Sequence, residues 1–145
     1  MTSEEIISKL PYGPSFLFVD ELTAISENGV IGSYFFNPDA AFYEDHFRGN
    51  PITPGVILTE CMAQIGVVCL GIFLMGEELG DDPKIAMTNT DIHFLKPVFP
   101  GEKVVVTSEK QYFRFGKLKC KVSMKNEKEE EVCNGVIGGM IFKNR

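Results

Sequence analysis

Residues 56–75 run Val-Ile-Leu-Thr-Glu-Cys-Met-Ala-Gln-Ile-Gly-Val-Val-Cys-Leu-Gly-Ile-Phe-Leu-Met, apolar nearly all the way round a helix. A helix without a polar face cannot rest on a surface; it must cross a membrane or be enclosed by other elements. Twenty residues is spanning length. Against a membrane stand Glu60 and Gln64 inside the run and the lack of basic residues flanking it. The run is therefore expected to be the buried centre of a soluble fold with no membrane insertion, provided that a sheet exists to enclose it.

The rest of the sequence supplies that sheet. Thr2 and Glu5 have capping-box spacing ahead of Ile6, Ile7 and Leu10, which predicts a short first helix ended by Pro11, Gly13 and Pro14. Residues 16–26 and 30–36 are strand-like around an Asn28-Gly29 hairpin turn, and Pro38-Asp39 then breaks the chain into a short helical turn through Tyr43. Beyond the apolar run, residues 84–94, 103–115, 118–125 and 131–142 are β-rich, with Lys117, Lys119 and Lys121 alternating onto one face. Two strands, a buried helix and four strands make an α+β fold, an antiparallel sheet curled around a central helix. A chain of 145 residues fits one such domain, 1–145.

Charge and cysteine usage narrow the function classes. The net charge is −6, and residues 1–55 carry all of it, with eight acids against two bases. Residues 103–125 hold seven bases and only Glu109, which leaves a basic surface on an acidic protein. A nucleic-acid partner is disfavoured by the overall sign. The basic segment is either a solvated lysine-bearing hairpin or a docking face for an acidic partner. Cys61, Cys69, Cys120 and Cys133 show no CxxC spacing and fall in apolar or strand-like runs, so buried reduced thiols are expected. The first residues lack the basic and apolar regions of a signal peptide, which points to the cytoplasm.

Three residues could carry chemistry, with a fourth in support. His46, one of two histidines, sits in a segment dense in turn residues and has a side chain suited to accepting protons near neutral pH. Glu60 stands on the apolar run, where a carboxyl group becomes a proton donor. Gln64 at i+4 can hold that carboxyl in place. Pro54-Gly55 opens the helix, and the Gly55 N–H lies where the positive end of the helix dipole could steady an oxyanion. Each has a bland alternative: a loop histidine bonded to backbone, a first-turn glutamate that favours the dipole, and a helix start that binds nothing. His93 is expected to be structural. No HExxH, CxxC, phosphate loop or GxSxG is present, so neither a metal nor any other cofactor is expected.

Taken together these residues resemble the hot-dog-fold 3-hydroxyacyl-acyl carrier protein dehydratases of the FabZ type. The family motif G-H-F-P-G-x-P-x-x-P-G-V followed by E-x-x-A-Q is matched by His46-Phe47-Arg48-Gly49-Asn50-Pro51-Ile52-Thr53-Pro54-Gly55-Val56 and Glu60-Cys61-Met62-Ala63-Gln64. Phe94-Leu95-Lys96-Pro97-Val98-Phe99-Pro100-Gly101 is similar to F-x-x-P-V-x-P-G, and Leu10-Pro11 with Phe16-Leu17-Phe18-Val19-Asp20 to L-P-x-x-x-P-F-L-L-V-D. The resemblance implies that His46 removes the C2 proton of a 3-hydroxyacyl thioester. It further implies that Glu60 of a second subunit protonates the leaving hydroxyl, with the Gly55 N–H polarising the carbonyl and Gln64 in support. A homodimer, or a trimer of dimers, is implied, as is an acyl carrier protein partner for which Arg48, Lys96, Arg114 and Lys117 are candidate docking residues.

The departures lie beside the site. Asp45 replaces the family's Gly before the histidine, Arg48 replaces its Pro, and Tyr12-Gly13-Pro14-Ser15 replaces H-R-Y-P. They imply an altered substrate choice, such as an unusual acyl or aryl-polyene chain. An acyl thioesterase of the same fold and a non-catalytic acyl-binding protein are the competing functions.

Overall fold

The computed structural model describes residues 1–80 and 84–142. Helix α1 (Ser3–Ser8) begins as the sequence predicts: Thr2 Oγ1 accepts from the Glu5 N–H at 3.1 Å and donates to the Glu5 carboxylate. Strands β1 (Glu21–Ser26) and β2 (Gly29–Phe35) form the first hairpin. Helix α2 then runs over Gly55–Leu79, and β3 (Ile85–Phe94), β4 (Lys103–Arg114), β5 (Lys117–Lys125) and β6 (Glu131–Ile141) complete the structure. All six strands join one antiparallel sheet in the order β1-β2-β4-β5-β6-β3.

The sheet encloses α2 as the apolar run requires. Strand β4 alternates Val104, Val106 and Ser108 inward, and β5 alternates Leu118, Cys120, Val122 and Met124 inward, against α2 residues such as Met62, Ile65 and Leu70. Seventy-two per cent of the most apolar stretch of α2 is buried within the fold, so its uniform apolarity serves a core and not a bilayer. All four cysteines are buried free thiols. This is the hot-dog architecture expected from the sequence.

Three local features differ from expectation. Residues 16–20 are not strand: Pro14–Phe16 forms a 3₁₀ turn and β1 starts only at Glu21. The Gln64 side chain explains this, because it accepts from the Phe18 N–H and donates to the Phe16 carbonyl, both at 2.8 Å, and so holds that segment on the helix. The first hairpin turn lies one residue earlier than an Asn-Gly turn, with Glu27 and Asn28 at its centre. Gly29 is instead the first β2 residue, where any Cβ would come within 2.2 Å of the Ser108 carbonyl oxygen. Finally, α2 widens to a π-helix over Gln64–Cys69. There the Ser108 hydroxyl donates to the Gly66 carbonyl at 2.8 Å, satisfying a buried acceptor in the widened turn.

Candidate active site

The loop before α2 is held by a small set of bonds, and these present His46. The Ile52 N–H donates to the His46 carbonyl at 2.9 Å, while His46 Nδ1 lies 3.0 Å from the Ile52 carbonyl. A carbonyl oxygen can only accept, so Nδ1 carries a proton, and in the neutral imidazole it is Nε2 that holds the lone pair. The Phe47 ring stacks on the imidazole at 4.4 Å. Behind the loop, the Tyr43 and Thr53 hydroxyls share a buried 2.5 Å hydrogen bond, and the Thr53 N–H donates to the Val98 carbonyl. Glu44 and Asp45 are exposed.

Pro54 is the N-cap of α2, its carbonyl taking the N–H groups of Ile57 and Leu58. The Gly55 N–H forms no intramolecular hydrogen bond among the described residues. A Cβ on Gly55 would sit 3.2 Å from the Phe94 ring, so glycine keeps the ring close to the helix start. His46, Phe47, Gly55, Leu58, Phe94 and Leu95 line one open cleft of about 400 Å³. The proton acceptor and the free amide at the positive end of the helix therefore face the same space, which is walled by apolar side chains.

Glu60 does not line that cleft. It opens instead on a small pocket of about 30 Å³ between α2 and the β3–β6 edge, together with Tyr12, Val67, Met87 and Gly139. Gln64 Nε2 donates to Glu60 Oε2 at 2.9 Å while its carboxamide bonds the Phe16 and Phe18 backbone, so one buried side chain ties the carboxyl to the 16–18 segment. Burial raises the Glu60 carboxyl above its usual range, and the Gln64 hydrogen bond opposes that rise. The Tyr12 phenol is pushed up by burial and by the nearby Glu60 charge, so it stays a neutral hydroxyl.

The remaining sequence candidates are dispersed. Arg48 is exposed on the His46 loop. Lys96 lines the rim of the His46 cleft and is ion-paired with Glu130. Arg114 and Lys117 face each other across the turn between β4 and β5, at the other end of the sheet. His93 is exposed on β3 beside Asp91, 3.7 Å away. Sequence reasoning missed the Ile52 carbonyl, for which no signal exists because a main-chain oxygen has no residue type. It noticed Tyr12 only as a departure from a motif, whereas the structure puts it against Glu60.

The FabA-like domain family matches residues 10–133. The 3-hydroxyacyl-[acyl-carrier-protein] dehydratase FabZ of Herpetosiphon aurantiacus is 33% identical over 98% of this chain and 96% of its own length. The enzyme of the same name from Rhizobium rhizogenes is 34% identical over 96% of this chain and 87% of its own. Among solved structures, the dehydratase heterocomplex ApeI:P from Xenorhabdus doucetiae superposes with a TM-score of 0.81 at 11% identity, covering 99% of this chain and 93% of the other. A hypothetical thioesterase from Streptococcus pneumoniae TIGR4, solved with coenzyme A, superposes at 0.63 with 13% identity, covering 86% of this chain and 87% of the other.

Proposed function

The chain belongs to the FabA-like family, with FabZ dehydratases among its relatives, and on that premise we propose that it removes water from a 3-hydroxyacyl thioester carried on acyl carrier protein, yielding the trans-2-enoyl thioester in fatty acid or related biosynthesis. It is a hydro-lyase. The observation that carries the site assignment is the Glu60 carboxyl, held by Gln64 on an apolar helix and raised by burial, which suits it to donate a proton.

In this mechanism His46 Nε2 takes the C2 proton while Nδ1 stays bonded to the Ile52 carbonyl. The thioester carbonyl lies against the Gly55 N–H, where the helix dipole steadies the negative charge that develops as the C2–H bond breaks. That electron pair becomes the C2–C3 double bond as the C3–O bond breaks. Glu60 gives its proton to the departing hydroxyl, which leaves as water.

His46 and Glu60 line separate cavities within one chain, and this supports pairing His46 of one subunit with Glu60 of another. Among the described residues strand β3 lies at a sheet edge, and the apolar side chains of Met87 and Phe94 on it and of Val56 on α2 are exposed. An edge of this kind suits isologous pairing in a homodimer, which could assemble further as a trimer of dimers. The proposed location is the cytoplasm. Arg48, Lys96, Arg114 and Lys117 are the proposed docking cations for the carrier. Charge reversal at Arg114 and Lys117 should weaken the apparent affinity for carrier-bound substrate, and an unchanged KM would remove them from that role. The finer proposal, an unusual acyl or aryl-polyene substrate, is supported by Tyr12 facing the Glu60 pocket. Equal turnover of ordinary saturated chains would count against it.

The deciding experiment incubates the protein with 3-hydroxyacyl carrier protein and reads product mass. Loss of one water is the expected result; release of free acid would mean a thioesterase, and an unchanged mass a non-catalytic acyl-binding protein.

A further inference from the structure

The turn between β4 and β5 has an unexpected residue at its tip. Arg114 pairs with Lys117, so Phe115 and Gly116 form a two-residue turn, with φ of 53° and 72°. Both central positions of such a turn require positive φ, which Asn, Asp and Gly tolerate and bulky side chains do not. Phe115 is nonetheless there, and it is 95% exposed. Its ring adds nothing to the core, and its backbone is in a conformation that Asn would occupy with less strain. A side chain that costs the fold something and contributes no packing is best explained by what it contacts outside the chain.

Its surroundings define the partner. Lys117 and Lys119 project from the outer face of β5, with Met140 beside Lys117 across the β5–β6 ladder, and the Arg114 guanidinium lies 4.5 Å over the Tyr112 ring. An apolar anchor flanked by cations is the pattern of a protein docking surface whose partner is acidic and offers an apolar crevice. A duplex nucleic acid would meet the same cations but offers no apolar crevice for the ring.

The sheet register identifies which cleft this tip serves. The Gly116 carbonyl accepts from the Ile141 N–H, and Ile141 pairs with Ile85, so the tip is level with the start of β3. The His46 cleft lies at the other end of β3, at Phe94. Ten residues at ~3.3 Å each separate these ends by roughly 30 Å. Two-fold pairing of β3 edges is antiparallel, and it would bring the start of one β3 beside the end of the other. The tip would then lie about three strand spacings, roughly 15 Å, from the other subunit's cleft.

We propose that Phe115, flanked by Arg114 and Lys117, is the apolar anchor by which one subunit docks an acidic carrier protein that delivers its acyl thioester to the other subunit's His46 cleft. This rests on the dehydratase reading and on the dimer. Three measurements test it: anisotropy of labelled acyl carrier protein, KM for carrier-bound substrate, and turnover of a pantetheine thioester without carrier. Phe115→Ala and Phe115→Asn should each raise Kd and KM for the carrier roughly tenfold or more, the range of an interface hot spot. Neither should alter turnover of the pantetheine thioester. Because Asn suits the turn, a loss shared by both variants cannot be ascribed to a damaged hairpin. Carrier binding equal to the unaltered protein, or an equal loss with both substrates, overturns the proposal. If the unaltered protein turns over neither substrate, the dehydratase reading fails while the anisotropy still decides the docking role.

Mixed dimers of His46→Ala with Phe115→Ala chains test the crossing. Their live cleft contains the His46 of the Phe115→Ala chain and faces the intact tip of the other, so KM should match the unaltered protein. A raised KM would show that each tip serves its own cleft.

Discussion

The two halves of the proposed site are built differently. His46 sits on a loop, half-buried, with its ring fixed by one bond to a main-chain carbonyl and its open side facing a wide cleft. Glu60 sits on the central helix beside a pocket of about 30 Å³, and a fully buried glutamine fixes it to two other backbone sites. The base is thus presented where a large substrate can enter, and the acid is held where little can move. Within one chain the two side chains open on different cavities. The contrast is the reason the proposed mechanism needs a dimer, since a proton taken on one side must be matched by one given from the other.

The largest expected effect breaks the pair across subunits. His46→Ala and Glu60→Gln should each slow dehydration by about 10²–10⁴-fold, the usual contribution of a positioned acid or base. Neither should unfold the protein. Mixing the two variants under conditions that exchange subunits should restore activity, because half of the sites in a mixed dimer combine an intact His46 with the other chain's intact Glu60. If activity stays lost in verified mixed dimers, the acid and base act within one chain and the contrast between the halves has no catalytic meaning.

A smaller effect probes how tightly each half is held. Gln64→Leu leaves the buried Phe18 N–H without a partner, which should cost about 1–3 kcal/mol, read as a lowered urea midpoint. It also removes the hydrogen bond that lowers the Glu60 pKa. A general acid works only while protonated, so the alkaline fall in kcat should move to higher pH. Thr53→Val on the His46 side breaks only the bond with Tyr43, for a loss of about 1 kcal/mol, and should leave that limb in place. Equal losses of stability, or the same shift in both variants, would erase the distinction.

Much of this was legible in the sequence, for identifiable reasons. The apolar run could only be a core helix once strands were found to enclose it, and strand alternation places Val104, Val106, Cys120 and Val122 on its side. His46, Gly55, Glu60 and Gln64 were recognisable because the chemistry depends on residue type and spacing. What escaped notice was set by contacts distant in sequence. Residues 16–20 look like strand, yet Gln64, more than forty positions on, claims their backbone. Asn28-Gly29 has the composition of a turn, yet Gly29 is needed because Ser108 approaches it. The widening at Gln64–Cys69 leaves no trace in an apolar pattern, since every face of that segment is buried. The separation of His46 and Glu60 into two cavities is likewise a property of packing, which residue spacing does not contain.

The smallest effect is a pH dependence of stability in the Glu60 half. Burial raises this carboxyl above its unfolded value, so between those two values the folded chain binds a proton that the unfolded chain has released. Stability from this group is fully present below the unfolded pKa and is lost as pH rises through the folded one. Glu60→Gln replaces the carboxyl with a neutral group of the same shape, which cannot ionise and escapes that loss. The variant should therefore be inactive but more stable than the unaltered protein near pH 7, and the gap in thermal midpoint should narrow as pH falls toward 4. A gap for Glu60→Gln that stays constant from pH 4 to 8 would mean that the carboxyl is as well solvated as an ordinary surface glutamate, and the buried, clamped acid would lose its physical basis.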